Sequence, residues 1–247
     1  MRQFDVFVFE EDSPSFDKWT PVFEDPALGW FHSKDWNSDL EKLEAEWIIF
    51  TTPDVKVDRE FLNELAQEAD GYTLIDAFAP RIKSNSHFYG GLILDGNRGF
   101  KQIDENAPMR YVAGPNPLIG VFSRRIIQRT GIFDQSLPPR LRLLDYALRM
   151  AHAGGKMFSV PYLVAEQVEG SSGNPVFDGK ESIKDQWDII YKNLFPKELM
   201  GFTMRHPSTV PLWFKTKELD IKRNKATDLS KLSPKHLLNI SSAAKIK

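Results

Sequence analysis

The most restrictive feature of this chain is the order in which short apolar runs and helical spacing alternate over its first third. Apolar and β-branched runs at 4–9, 28–32, 47–50 and 72–78 predict buried strands. Asp58 stands where a helix cap is expected, and the apolar residues that follow it recur at helical spacing, at Phe61, Leu62, Leu65 and Ala69. Strands that alternate with helices favour a mostly parallel sheet covered by helices. We therefore predict an α/β fold.

The remainder of the chain continues with turn residues and apolar runs. Glycines on either side of 92–94 predict turns or a hairpin, and we expect a short antiparallel part in the fold. After the apolar run 118–122, Ser123 is expected to begin a helix that Gly131 closes. Three more elements are predicted, a helix at 143–153, a strand at 157–164 and a helix at 178–194.

The composition changes near residue 218, which divides the chain in two. We predict one domain over 1–217 and a lysine-rich tail over 218–247, with one short amphipathic helix around 236–240. The tail is expected to be a solvated extension. The alternative is a peripheral contact with an anionic membrane or with a protein partner.

Charge and cysteine usage exclude several classes of protein. The net charge is -2, so the chain lacks the basic footprint of a nucleic-acid binder, and we expect no nucleic-acid partner. It contains no cysteine, which excludes disulfides, thiolate metal sites and a cysteine nucleophile. Because neither a secretory signal nor a membrane-spanning run is recognisable, we expect a cytoplasmic protein that at most touches a membrane surface.

Acidic residues follow two of the predicted strands. Glu11 and Asp12 come just after the run at 4–9, and Asp54 comes just after the run at 47–50. In open α/β sheets, ligands bind outside the carboxyl ends of the strands. The sequence therefore predicts a polar site at this edge of the sheet.

The segment from Gly114 to Gly154 carries a series of motifs in a recognisable order. A turn of small residues and an apolar strand come first. Two basic residues follow, Arg124 and Arg125, and then a helix end with the pattern Gly-x-Phe-Asp, at Gly131, Phe133 and Asp134. An acid, an arginine and an Ala-Gly pair come last, at Asp145, Arg149, Ala153 and Gly154. In this order and spacing the chain resembles the family 2 glycosyltransferases of GT-A type. The resemblance implies a Rossmann-like sheet, a nucleotide-sugar donor, a glycan or lipid-linked acceptor, and a place in polysaccharide biosynthesis. The family usually begins with one further strand and helix, so either that unit is absent or 4–9 is the first strand.

The resemblance also implies where a donor and a metal would bind. The metal motif of the family, Asp-x-Asp, falls on Thr52 and Asp54, so one carboxylate is replaced by a hydroxyl. Asp54 is then expected to hold a divalent metal, Mn or Mg, and to bind the nucleotide together with Glu11, Asp12 and Arg125. The alternatives are that Asp54 only forms a turn, that Glu11 and Asp12 only begin a polar loop, and that the arginine only covers the sheet.

The catalytic positions implied by the resemblance are altered. The family's Glu-Asp pair falls on Arg142 and Leu143, and neither side chain can accept a proton from an attacking hydroxyl. Asp145 is the catalytic residue that the resemblance leaves, as a displaced base, and the alternative is that it pairs with Arg149 at helical spacing. A histidine of the family is replaced by Gln167.

Two functions follow from this pattern. The first is a glycosyltransferase that moves a sugar from a nucleotide-diphosphate donor to a glycan or lipid-linked acceptor. The second is a degenerate, non-catalytic domain of the same fold that binds a nucleotide sugar, a glycan or a protein partner without turnover. The altered positions Thr52, Leu143 and Gln167 motivate the second.

Overall fold

A computed structural model describes residues 3–9, 25, 28–33, 35, 37, 40–95, 99–171, 173–177, 183–194, 196–214, 216 and 220 of the chain. Glu11 and Asp12 lie outside the described residues, and so does the helix predicted around 236–240. The helices and strands below are those of the described part of the chain.

The strands are β1 (Phe4–Val8), β2 (Leu28–His32), β3 (Trp47–Thr51), β4 (Val55–Lys56), β5 (Ala77–Phe78), β6 (Arg81–Ser84), β7 (His87–Tyr89), β8 (Leu92–Leu94), β9 (Phe100–Gln102), β10 (Arg110–Tyr111), β11 (Ile119–Ser123), β12 (Met157–Ser159) and β13 (Val164–Gln167). The α-helices are α1 (Arg59–Gly71), α2 (Arg124–Thr130), α3 (Pro139–His152), α4 (Ile183–Asn193) and α5 (Pro196–Arg205). Short 3₁₀ helices lie at Leu40–Lys42 and Pro207–Phe214.

The central sheet has seven strands in the order β10-β12-β5-β11-β3-β1-β2. β1 pairs in parallel with both β2 and β3, and β5 pairs in parallel with β12. β11 is antiparallel to β3 and β5, and β10 is antiparallel to β12. The sheet is therefore mostly parallel, with β10 and β11 running against the other strands, and the predicted α/β fold with an antiparallel part is confirmed.

Two smaller sheets complete the strands. One has four strands in the order β4-β13-β6-β7, and the other is the hairpin of β8 and β9. β4 and β13 pair beside the end of β3, with Gln167 opposite Val55. This pairing brings the late part of the chain to the edge of the central sheet where the sequence predicts a site.

Alternation along the central strands divides the core between two faces of the sheet. Phe7, Ile48 and Phe50 belong to one buried cluster, which includes residues of α2 and α3. Val6 and Ile49, their neighbours in sequence, belong to a second cluster, which includes residues of α1. Strands buried on both faces carry nearly continuous apolar runs, as these do.

The predicted helix caps are confirmed for α1 and α2. The side chain of Asp58 accepts a hydrogen bond from the backbone N–H of Phe61, at 3.0 Å. The Ser123 side chain accepts one from Ile126 at the start of α2, and Gly131 ends that helix with φ of 82°. Such a positive φ favours glycine, because a side chain there would be strained.

Three elements differ from the sequence prediction. The strand predicted over 72–78 is only β5, because α1 continues to Gly71 and 72–75 form a turn. The strand predicted over 157–164 is divided at Pro161 into β12 and β13, which belong to different sheets. The helix predicted over 143–153 begins earlier, with a proline in its first turn. Within the described residues, no helix combines the length and the apolar character needed to cross a bilayer.

Candidate functional site

The predicted site lies where β3 ends, in the turn that leads to β4. Asp54 is completely buried there, and neither of its carboxylate oxygens has a hydrogen-bond partner. The hydroxyl of Thr52, two residues earlier, is also buried without a partner. Buried polar groups are normally hydrogen-bonded, and a buried charge without a partner is especially costly. Three unpartnered oxygen atoms at the carboxyl end of a central strand therefore point to a ligand.

Asp54 is covered by the segment that follows β13. The backbone N–H of Val168 donates to the Asp54 carbonyl at 2.8 Å. A Cβ added to Gly173 would lie 2.6 Å from Oδ2 of Asp54, which is closer than real side chains approach. The amide of Gln167 donates to the hydroxyl of Ser171, at 3.0 Å, and to the carbonyl of Gly173. We call 168–177 the covering segment; only a residue without a side chain fits its closest approach to Asp54.

Three polar side chains hold the far end of the covering segment. The amides of Asn116 and Gln102 each donate to the carbonyl of Pro175 at 3.0 Å. The guanidinium of Arg140 donates to the carbonyl of Val176 at 2.7 Å. Sequence reasoning missed these three residues, because they lie on separate elements and no local pattern links them to Asp54. The only signal was their residue type beside a turn or a helix start.

Asp145 lies in a buried ionic network between α3 and α4. It is fully buried, and its carboxylate accepts hydrogen bonds from Arg149 and Asn193, both at 2.9 Å. Lys192, which is also buried, lies 2.9 Å from Asp145 and 2.6 Å from Asp134. Burial raises the pKa of Asp145, but Arg149, Lys192 and Asn193 outweigh it and hold that pKa below its ordinary value. The pairing with Arg149 is the alternative that the sequence left open, and a base role for Asp145 stays a prediction.

Arg142 and Leu143, where the resemblance places a Glu-Asp pair, lie inside the protein. Leu143 is buried in the cluster that covers one face of the central sheet. Arg142 is buried as well, and its guanidinium donates to the carbonyls of Leu137 and Gln135 at 2.9 and 3.2 Å. Neither position therefore supplies a carboxylate or a free face to an acceptor.

Arg125 and Asp54 lie at opposite ends of the central strands. β11 is antiparallel to β3, so that Ser123 is opposite Trp47, at the start of β3, rather than opposite its end. Four residue steps along β3, about 13 Å, separate its start from its end. Arg125 pairs there with Asp76, beside a surface cavity of about 670 Å³. The structure thus does not bring Arg125 and Asp54 together, and a nucleotide contact by Arg125 stays a prediction.

The side chains around Asp54 decide whether a metal ion fits there. Among the described residues, no group of three acidic or histidine side chains is arranged to hold a metal ion. The oxygens of Asp54 and Thr52 are nevertheless of the type that Mg²⁺ and Mn²⁺ prefer, and they have no other partner. These donors fit a divalent ion that takes its remaining ligands from phosphate oxygens. Glu11 and Asp12 lie outside the described residues, although Phe9 donates from its backbone to Thr51 at 2.9 Å, beside the end of β3.

Comparison with solved structures identifies the fold. The structure of GalNAc-T7 with UDP, GalNAc and Mn²⁺ matches with a TM-score of 0.59 and 12% identity, over 97% of this chain and 56% of that one. This chain therefore spans only about half the length of that protein. The similarity shows that the fold is that of the GT-A glycosyltransferases.

Two further glycosyltransferase structures match less well. The mannosyltransferase PcManGT from Pyrobaculum calidifontis, with GDP-Man and Mn²⁺, has a TM-score of 0.47 at 11% identity, over 98% of this chain and 76% of that one. S. aureus TarS with UDP-GlcNAc has a TM-score of 0.49 at 12% identity, over 97% and 81%. No protein-family model matches the sequence, and no curated protein matches it.

Proposed function

We propose that this chain is a glycosyltransferase that moves a sugar from a nucleotide-diphosphate donor to a glycan or lipid-linked acceptor. The observation that carries the proposal is the buried, unpartnered carboxylate of Asp54 at the carboxyl end of β3, with the Thr52 hydroxyl beside it. A GT-A fold and an unsatisfied oxygen cluster at this edge of the sheet together favour a phosphate-bearing, metal-assisted ligand.

In this proposal the residues of the site have separate tasks. Asp54, helped by the Thr52 hydroxyl, holds Mn²⁺ or Mg²⁺. When bound, that ion neutralises charge on the diphosphate leaving group. Glu11 and Asp12, which follow β1 in the sequence, contact the nucleoside. We leave Arg125 out of the donor site because it lies at the other edge of the sheet.

The covering segment has to move before a donor can reach Asp54. Both carboxylate oxygens are buried, and the backbone at Gly173 lies against them. The segment is held by hydrogen bonds to its carbonyls from Asn116, Gln102 and Arg140, and such bonds exchange readily with water once opened. We expect the donor diphosphate to take the place of part of this segment.

A second function is favoured by the surroundings of Asp145. Its two oxygens are engaged by Arg149, Lys192 and Asn193, and the neighbouring Leu143 is buried in the core. A carboxylate held in this way does not reach an acceptor hydroxyl unless α3 and α4 separate. In this second reading the chain binds the donor, a glycan or a protein partner and does not transfer the sugar.

One experiment separates the two functions. Purified chain is titrated with uridine, guanosine and thymidine diphosphate sugars in the presence of Mn²⁺, and both donor binding and release of the nucleoside diphosphate are measured. Release that Asp54→Asn abolishes and the exposed Asp70→Asn retains supports the transferase. Binding that depends on Asp54 without any release supports the second function. Absence of both binding and release for every donor would contradict the transferase and donor binding, and would leave a glycan or a protein as the ligand of the second function.

A further inference from the structure

An exposed apolar patch lies at the end of the described fold. Met200 and Met204 are exposed on α5, and Val210, Trp213 and Phe214 are exposed on the 3₁₀ helix that follows it. Met204 and Phe214 are the most open, at 77% and 86%. Scattered exposed apolar residues are ordinary, but five within 15 residues, two of them aromatic, mark an interaction surface. We call these five residues the C-terminal patch.

The backbone that carries the patch is fixed by packing. The indole N–H of Trp213 donates to the hydroxyl of Thr203 at 3.1 Å, which ties the 3₁₀ helix to α5. The ring of Trp213 also packs edge-on against Trp187 of α4, with 6.0 Å between centroids. Met200 and Met204 are four residues apart on α5 and so share one face. Contacts with α4 and α5 therefore hold the C-terminal patch in place.

The sequence that follows the patch has the opposite charge from the rest of the chain. Residues 221–247 contain seven Lys and Arg and one Asp, a net charge of +6. Residues 1–220 contain the other 25 Lys and Arg and 33 Asp and Glu, a net charge of -8. The hydroxyl of Tyr191 on α4 donates to Asp220, and α4 packs against both α5 and the 3₁₀ helix. The basic segment 221–247 therefore continues from a point beside the C-terminal patch.

We propose that the C-terminal patch and the basic segment 221–247 together dock on an anionic lipid bilayer. Tryptophan, phenylalanine and methionine side chains insert at the boundary between headgroups and acyl chains, and lysine and arginine are attracted by anionic headgroups. Neither signal alone gives stable attachment, whereas an apolar anchor with an adjacent basic segment does.

A second copy of the chain fits this surface less well. The patch residues offer on the order of 100 Å² each, which together is less than the ~800 Å² per partner that a stable dimer buries. The bilayer proposal does not depend on the donor site, because it involves neither Asp54 nor a nucleotide.

The test is co-sedimentation of the full chain with lipid vesicles in the absence of any donor. Vesicles of phosphatidylcholine alone are compared with vesicles of equal parts phosphatidylcholine and phosphatidylglycerol. We expect sedimentation only with the anionic vesicles, and a loss of binding as the salt concentration rises. Failure of the wild-type chain to sediment with anionic vesicles at low salt overturns the proposal.

Matched variants separate the two contributions. Met204→Ser with Phe214→Ser is expected to weaken vesicle binding roughly ten-fold for each side chain. Lys222→Gln, Arg223→Gln and Lys225→Gln are expected to weaken it roughly five-fold for each charge at low salt. Leu74→Ser is the control, since Leu74 is 77% exposed and lies just after α1, away from the patch. Unchanged binding in either set overturns the proposal, and so does a wild-type dimer that Met204→Ser and Phe214→Ser convert to monomer.

Discussion

Two fully buried aspartates show how different the same residue type can be within one fold. Asp145 has three partners that donate to its carboxylate or carry a positive charge, whereas Asp54 has none. A buried charge with partners contributes to stability as part of its network, but a buried charge without partners lowers it. Asp54 thus lowers the stability of the ligand-free fold, as residues that bind a ligand often do.

We expect Asp54→Asn to raise the thermal midpoint of the ligand-free chain and to abolish Mn²⁺-dependent donor binding. Removing a buried, unpartnered charge lifts its desolvation cost, and about 1 kcal/mol corresponds to a rise of about 2–4 °C for a chain of this size. Differential scanning calorimetry and donor titration measure the two effects. A lower midpoint would show that the carboxylate has a stabilising partner.

The same substitution at Asp145 should have the opposite effect. Asp145→Asn leaves Lys192 and Arg149 with less compensating charge in the interior, and we expect a loss of about 3–5 kcal/mol in the free energy of unfolding. Urea denaturation of this variant beside Asp54→Asn measures the contrast. An unchanged free energy of unfolding would contradict the structural role of the network and favour a catalytic role for Asp145.

At the scale of elements, the junction of α3 and α4 should make the fold sensitive to acid. The ring N–H of His152 donates to the carbonyl of Asn193 at 2.7 Å, and burial holds the pKa of His152 below its ordinary 6.5. As the pH falls below 6.5, the unfolded chain takes up a proton before the folded chain does. The stability that neutral His152 contributes is therefore fully present above pH 6.5, and it is lost as the pH falls through the pKa of His152 in the folded chain.

We expect the free energy of unfolding to decrease as the pH is lowered from 7 towards 5, and His152→Gln to flatten that dependence. The exposed His87, which lies near Glu105, provides the control variant His87→Gln. Urea denaturation at a series of pH values measures the slope for each protein. Equal slopes in the wild type and His152→Gln would contradict this assignment.

The covering segment gives a second prediction at the scale of elements. A methyl group at Gly173 would lie 2.6–2.7 Å from three atoms of Asp54, so Gly173→Ala has to push the segment away from the site. We expect a loss of about 1–3 kcal/mol in the free energy of unfolding, together with faster proteolysis within 168–177. Gly71→Ala is the control, because no atom lies within 4 Å of the added methyl. Equal protease sensitivity of the two variants would show that the segment does not lie against Asp54.

At the scale of the whole molecule, the features that the sequence predicts are those that depend on residues close together in the chain. α1 and α2 were predictable because Asp58 and Ser123 cap them within three residues. The placement of Arg125 was not, because it depends on β11 running antiparallel to β3, which no local pattern specifies. The closure of Asp54 by Gly173 joins residues more than 100 positions apart. The sequence therefore predicts the fold, but not what surrounds each carboxylate of the candidate site.

The division of the chain near residue 218 leads to the last prediction. In the described part of the chain, the three core clusters draw on residues before 215, and Asp220 contacts Tyr191 of α4. We therefore expect a chain ending at Asp220 to keep its thermal midpoint within about 2 °C, since little apolar burial is removed. Its net charge changes from -2 to -8, so it should bind an anion exchanger more strongly and lose its binding to anionic vesicles. Calorimetry, ion exchange and co-sedimentation of the two chains measure these effects. A large fall in the midpoint would place part of the core in 221–247, and the boundary of the domain would then have to move.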